Sequence, residues 1–274
     1  MITVCWEVFE KFVNGIRIHH HLFMTYRYSP LQICAKKLYR KFFPVPRSPW
    51  TAGAVDDICT IHLVPPERLI SFFSGCITML QKLKGPEIGD YLEFGVFNGS
   101  SIGSMHIARA EYKAASQMRL FGFDAFEGLP EHAENEDAGV WKKSFYACSF
   151  ERMQECLSRR NVPPNDMTWV KGWYNKTLNA ETAQAHKIDN IGIAFIDCDT
   201  YSSSKSVLDF LSPLIKSPAI LCFDDWKLND LDIKNMGEYK AFNEFADQNK
   251  NLQIEEIKSY NRKSKSFLVI PRRS

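Results

Sequence analysis

No run of apolar residues in this 274-residue sequence approaches the roughly 20 needed to cross a bilayer, and the N-terminus lacks a compact apolar stretch followed by small residues. A soluble, cytoplasmic protein is expected. Charge of either sign is scarcely in excess: 34 Lys and Arg face 32 Asp and Glu, a formal +2, so the whole-chain field makes no case for nucleic acid. The eight cysteines include no C-x-x-C pair, and Cys198 and Cys222 lie inside apolar runs, so reduced thiols are expected rather than a disulfide framework. The dinucleotide pattern G-x-G-x-x-G is also missing, as are internal repeats and low-complexity stretches.

What charge there is lies unevenly. Residues 1–50 hold eight basic and two acidic residues, and nine aromatics from Trp6 to Phe43. Leu31, Cys34, Ala35, Leu38 and Phe42 recur at helical spacing with Lys36, Lys37, Arg40 and Lys41 between them, the pattern of a basic amphipathic helix. Pro44-Val-Pro-Arg-Ser-Pro49 reads as a linker. His19, His20 and His21 point in different directions on any regular element, which argues against a metal site. The chain divides into an N-terminal extension, 1–50, and a domain, 51–274. The extension is expected to cover the domain's active-site mouth or a second subunit, with a homo-oligomer in view. Opposite charge in the domain favours either over a membrane.

From residue 66 helices and strands alternate. Helices are predicted over 67–84, 100–116, 150–160, 202–214 and 238–249, and strands over 91–95, 119–124, 168–171, 191–197 and 219–224. Short apolar strands alternating with helices predict an α/β, doubly wound, mostly parallel sheet with helices on both faces.

Ligands of such sheets gather outside the carboxyl ends of the strands. The first strand runs into Glu93-Phe-Gly-Val-Phe-Asn-Gly-Ser-Ser101, a glycine turn in which Gly95 and Gly99 permit close approach and Ser100 and Ser101 open a helix. A capped turn needs no ligand. Asp124, ending the next strand, stands where a ribose-binding acid belongs, and the pair points to a nucleoside.

Five ordered motifs then resemble the macrocin-type (TylF/MycF) O-methyltransferases. They are Glu-Phe-Gly-Val-x-x-Gly-Ser from Glu93, Gly-Phe-Asp-Ala-Phe-Glu-Gly-Leu-Pro from Gly122, Lys-Gly-Trp-Tyr-x-x-Thr-Leu from Lys171, Ile-Asp-Cys-Asp-Thr-Tyr from Ile196 and Phe-Asp-Asp-Trp from Phe223. The resemblance implies a Rossmann-like class I fold, S-adenosylmethionine and Mg²⁺ as cofactors, and a sugar hydroxyl as acceptor. It implies that Glu93, Gly95, Gly99, Ser100 and Ser101 hold the methionine end, that Asp124 accepts both ribose hydroxyls, and that Gly172, Trp173 and Tyr174 border the adenine.

Asp197, Asp199, Asp224 and Asp225 crowd the ends of two strands and must repel unless a cation, a base or protonation relieves them. A hard divalent cation suits such oxygen donors, although acids there also cap helices. Related catechol-type methyltransferases use the positions of Asp197, Asp224 and Asp225 as metal ligands. Their lysine base falls here on Thr200, which cannot serve, so Asp199 is the first candidate base, with Asp197 beside it, and His132 the second. The acidic stretch 127–143 is a candidate lid. Two other classes compete: an NAD-dependent dehydrogenase or epimerase, and a binding protein that works through its basic N-terminal helix.

Overall fold

The computed structural model describes residues 57–272. The basic extension, with its amphipathic helix and His19–His21, lies outside the described residues. Helix α1 (Pro66–Lys84) leads to β1 (Asp90–Phe94), α2 (Ser100–Ala110), β2 (Leu120–Asp124), α3 (Phe150–Arg159) and β3 (Thr168–Lys171). Two short helices, α4 (Tyr174–Thr177) and α5 (Ala180–Ala185), precede β4 (Ile191–Ile196), α6 (Tyr201–Leu211) and β5 (Ala219–Phe223). Then come α7 (Leu231–Lys234), α8 (Gly237–Gln248), β6 (Leu252–Ile257) and β7 (Lys265–Pro271).

The sheet order is β3-β2-β1-β4-β5-β7-β6. Strands β1 to β5 pair parallel, and β7 runs antiparallel between β5 and β6. The doubly wound expectation is met, and its cause is visible strand by strand. Tyr91, Ile193, Ile220 and Cys222 enter one core with Leu69, Phe73 and Ile77 of α1 and Met105 of α2. Leu92, Ala194, Ile196, Leu221 and Phe223 enter the other with Val207, Leu208 and Leu211 of α6 and Phe242 of α8. Successive residues of one strand thus serve opposite faces, which is why each reads as an unbroken apolar run. Helix α1 begins with Pro66 at its first position and stops at Gly85, whose φ is 74°.

Three expectations change. The helix after the glycine turn ends at Ala110, because Tyr112 turns extended and Lys113–Ala115 forms a separate 3-10 turn. The β6–β7 hairpin was not foreseen, since the edge strand Leu-Gln-Ile-Glu-Glu-Ile carries too many polar groups to resemble its buried neighbours. Cys59 and Cys156 form a disulfide, against the expectation of reduced thiols throughout, while Cys76, Cys148, Cys198 and Cys222 are free and buried. The bridge spans 97 residues of sequence, and cross-linking so long a loop removes on the order of 4 to 5 kcal/mol of unfolded-chain entropy. It also takes away the thiol argument for a cytoplasmic chain. No helix among the described residues is long and apolar enough to cross a membrane.

Gly95 couples the sheet to the site. Its φ is 91°, and a Cβ there would sit 1.8 Å from the carbonyl oxygen of Asp197. Only glycine lets the turn after β1 lie against the end of β4. Gly95→Ala should therefore cost roughly 2 to 4 kcal/mol, by the usual scale of forced overpacking at a special φ. Thermal unfolding at wild-type stability would contradict this.

Candidate active site

The carboxyl ends of β1 to β5 open into one cavity of about 490 Å³. Of the residues singled out from sequence, Gly95, Asp124, Gly172, Trp173, Tyr174, Asp197, Asp199, Asp224 and Asp225 line it. Glu93, Gly99, Ser100 and Ser101 stand behind its wall. Glu93 is fully buried, and accepts from the Tyr91 hydroxyl and from Ser101 Oγ, the latter at 2.8 Å. Burial pushes its carboxyl up to about 8, against the lowering effect of those bonds. Ser100 Oγ lies 2.7 Å from His62 Nδ1. Both serine hydroxyls have protein partners, and of this turn Gly95 and Phe97 face the cavity.

Asp124 is the pin of the turn. Its Oδ2 accepts from the amides of Val96 at 2.7 Å and Phe97 at 3.1 Å, and its Oδ1 from Phe126 at 2.6 Å. Phe97 and Phe126 both have positive φ, a strain these bonds help to hold. Burial raises the carboxyl while the amides oppose the rise. With the Ala125 amide four backbone donors act on this carboxylate, which has about four lone-pair positions, so a ligand hydroxyl would share an oxygen already bonded to an amide. Trp173 keeps an exposed face, 37% accessible, at the cavity mouth. Tyr174 is packed below it, its hydroxyl donating to the Phe123 carbonyl at 3.4 Å.

Opposite this wall stand the acids. Because Ile196 pairs with Phe223 across β4 and β5, the residues that follow them emerge side by side. Oxygens of Asp197, Asp224 and Asp225 all lie within 4.8 Å of one another. Burial raises Asp197, and the charges of Asp224, Asp225, Glu93 and Asp124 raise it further. Asp225 is pushed up to about 7 by burial and by Asp224. Asp199, with φ 65° and only 7% exposed, shares a side-chain hydrogen bond with Asp225, and burial together with the neighbouring acids raises its carboxyl. The donor set is all oxygen, closely grouped and short of compensating charge, which fits a hard divalent cation.

Three residues of this half were missed from the sequence. Tyr260, in the β6–β7 connection, donates to Asp224 Oδ1 at 2.6 Å. Glu238, 1% exposed, accepts the Asp225 amide at 2.9 Å. Tyr146 lines the cavity with φ 58°, and its hydroxyl is raised by burial and by the four aspartates. None of the three carried a usable signal in sequence, since the strands around Tyr260 do not alternate cleanly. The acidic stretch 127–143 is ordered by its own charges. Asp137 accepts from the amides of Tyr201 at 2.8 Å and Gly237 at 2.7 Å, and Glu136 from Ser202 at 2.9 Å, so two acids meet the N-terminus of α6. Thr200 caps the same helix by accepting from Ser203. His132 lines the cavity, within 3.4 Å of Ser202 Oγ and 3.7 Å of Glu136.

A family model described as macrocin-O-methyltransferase (TylF) matches residues 67–263. Among curated proteins, the chain is 26% identical over 149 residues to the 8-demethyl-8-(2,3-dimethoxy-alpha-L-rhamnosyl)-tetracenomycin-C 4'-O-methyltransferase of Streptomyces olivaceus, covering 52% of this chain and 54% of that protein. It is 25% identical over 168 residues to the demethyldecarbamoylnovobiocin O-methyltransferase of Streptomyces niveus, covering 58% and 61%. The match thus spans less than two thirds of either relative. The fold is that of the O-methyltransferase NovP (TM-score 0.56, 18% identity, 75% of this chain and 79% of that one). The calicheamicin methyltransferase CalS11 shares it too (TM-score 0.52, 18% identity, 92% and 98%).

The raised carboxyls bind protons on folding. Asp225 moves from 3.8 to about 7, so its contribution to stability is full below about 4 and is lost as pH rises through about 7. In EDTA, the melting temperature should fall from pH 5 to pH 8, and Mg²⁺ should restore more of it at pH 8 than at pH 5. Equal effects of Mg²⁺ at both pH values would contradict the cluster's role.

Proposed function

This chain belongs to the macrocin-O-methyltransferase family, and on that premise we propose that it transfers the methyl group of S-adenosylmethionine to one hydroxyl of a vicinal diol on a sugar. The carrying observation is one cavity with Gly95, Asp124, Gly172, Trp173 and Tyr174 on one side and Asp197, Asp199, Asp224 and Asp225 on the other. The sugar is suggested by a relative named for a rhamnosyl substrate. Family membership removes the dehydrogenase alternative.

The sulfonium is already an activated leaving group, so the protein must supply an oxyanion-like nucleophile in line with the methyl carbon. On the cofactor side, the backbone of the Gly95–Ser100 turn receives the methionine end, braced from behind by Glu93 and Ser101. Asp124 faces the ribose and shares its carboxylate with a ribose hydroxyl, and Trp173 offers its exposed face to the adenine. Asp197, Asp224 and Asp225 would hold a divalent cation such as Mg²⁺, which when bound lowers the pKa of an acceptor hydroxyl and holds two neighbouring oxygens. Asp199 takes the hydroxyl proton as general base. Burial and the neighbouring acids raise its carboxyl, and positive charge beside it would favour the ionised form that accepts a proton. His132, already engaged with Ser202 and Glu136, is the second candidate.

Two experiments test this reading. Asp224→Asn with Asp225→Asn should abolish formation of S-adenosylhomocysteine from rhamnoside acceptors while its calorimetric binding stays within about threefold of wild type, since less than 1 kcal/mol is at stake on the cofactor side. Turnover surviving in the double variant, or in excess EDTA, would refute the metal-ligand assignment. Paired deoxy-sugars should react far more slowly than their vicinal diol counterparts, because a single hydroxyl loses both chelation and orientation. Equal rates across the pairs would remove chelation from the account.

A further inference from the structure

The segment from Asp57 to Leu63 adds no strand to the sheet, yet a disulfide, ion pairs and hydrogen bonds tie it to α3 and to the glycine turn. Cys59 is bonded to Cys156 of α3. Arg160, at the end of α3, donates to the carbonyl of Cys59 at 2.8 Å and to that of Asn98 at 2.7 Å, so one guanidinium grips this strap and the glycine turn together. Asn98 returns the grip, donating through Nδ2 to the carbonyls of Ile58 and Ile61 at 2.8 and 2.9 Å. Asp57 pairs with Arg152 and Arg159 at 2.8 and 2.7 Å, and His62 meets Ser100. Leu63, where the strap ends, forms part of the cavity wall.

We propose that Asp57–Leu63 is a redox-set latch on the cofactor site: with Cys59–Cys156 closed it holds the Val96–Ser100 turn in its cofactor-receiving shape, and opening the bond weakens cofactor binding. The inference rests on the cofactor reading of the cavity. Once the bridge is cut, the strap is held by hydrogen bonds, the Asp57 ion pairs and the packing of Ile58 and Ile61, and the polar contacts compete with water at its edges. The cofactor must then order strap and turn at its own expense, a cost the closed bridge has met beforehand. The opening reductant is a dithiol. Its thiolate attacks one sulfur to give a mixed disulfide, its second thiol displaces the remaining sulfur, and Cys59 and Cys156 leave as two thiols while the dithiol becomes a disulfide. Cys156 has no exposure and Cys59 only 6%, so the strap must lift before a reductant can reach them.

Coupling of this kind is reciprocal. If reduction weakens S-adenosylhomocysteine binding about tenfold, within the 5- to 150-fold range usual for coupled sites, saturating S-adenosylhomocysteine must make the bridge about tenfold harder to reduce. Tenfold is about 30 mV for this two-electron couple. The test is calorimetric titration of the full chain with S-adenosylhomocysteine, before and after dithiothreitol. Peptide mapping verifies the Cys59–Cys156 link, and circular dichroism verifies that the reduced chain is folded at the assay temperature. The wild type should lose about tenfold in affinity on reduction. Cys59→Ser with Cys156→Ser should bind like the reduced wild type, with or without dithiothreitol. Equal affinity of oxidised and reduced wild type, absence of the linked peptide, or a serine variant still sensitive to dithiothreitol would overturn the latch. An oxidised wild type that bound no S-adenosylhomocysteine would instead sink the cofactor reading, and the latch with it.

Discussion

Buried negative charge at the ends of β4 and β5 is the constraint around which this molecule is arranged. Parallel pairing of those strands leaves Asp197, Asp224 and Asp225 facing one another, and Asp199 and Glu238 close the group from either side. Five carboxyls cannot all ionise in so small a volume. The protein relieves them partly with the Tyr260 hydroxyl, partly with the side-chain hydrogen bond between Asp199 and Asp225, and at a distance with Lys263. The remaining deficit of positive charge is one that a divalent cation would fill.

Across the cavity a second carboxylate problem is solved differently. Asp124 is surrounded by backbone amides from the turn that it shapes, so its charge is spent on holding Val96, Phe97 and Phe126 in place. Gly95 then brings that turn against the carbonyl of Asp197, so that the two halves of the site share one short piece of backbone. The strap of residues 57–63 fastens the far side of the turn through Asn98 and Arg160. The Asp124 side and the acidic side of the cavity are thereby set at a fixed separation, which the proposed in-line transfer would require.

Much of this was legible in the residues themselves. The parallel core follows from short apolar strands whose alternate residues serve two faces, and the strand-end acids stand where the topology must put them. Less legible were features that depend on contacts between distant segments. Cys59 and Cys156 carry no spacing signal across 97 residues. Glu238 opens an amphipathic helix, where an acid ordinarily faces water near the N-terminus, and only the close packing of α8 on β5 turns it inward. The ligand role expected of Ser101 came from the family resemblance. In the folded chain Glu93, deprived of water, claims that hydroxyl first. The β6–β7 hairpin was hidden by the polarity of an edge strand, and with it went Tyr260.

The central claim is that the acidic cluster exchanges protons for a divalent cation. Titrating the full chain with Mg²⁺ at pH 7 in two buffers of different ionisation enthalpy measures the protons released per cation bound. The account predicts binding with net proton release, because burial and mutual repulsion raise the carboxyls of Asp197, Asp199 and Asp225, the last to about 7, and a cation beside them ionises them. Binding with no proton release, or unchanged binding and release in Asp197→Asn, would contradict it.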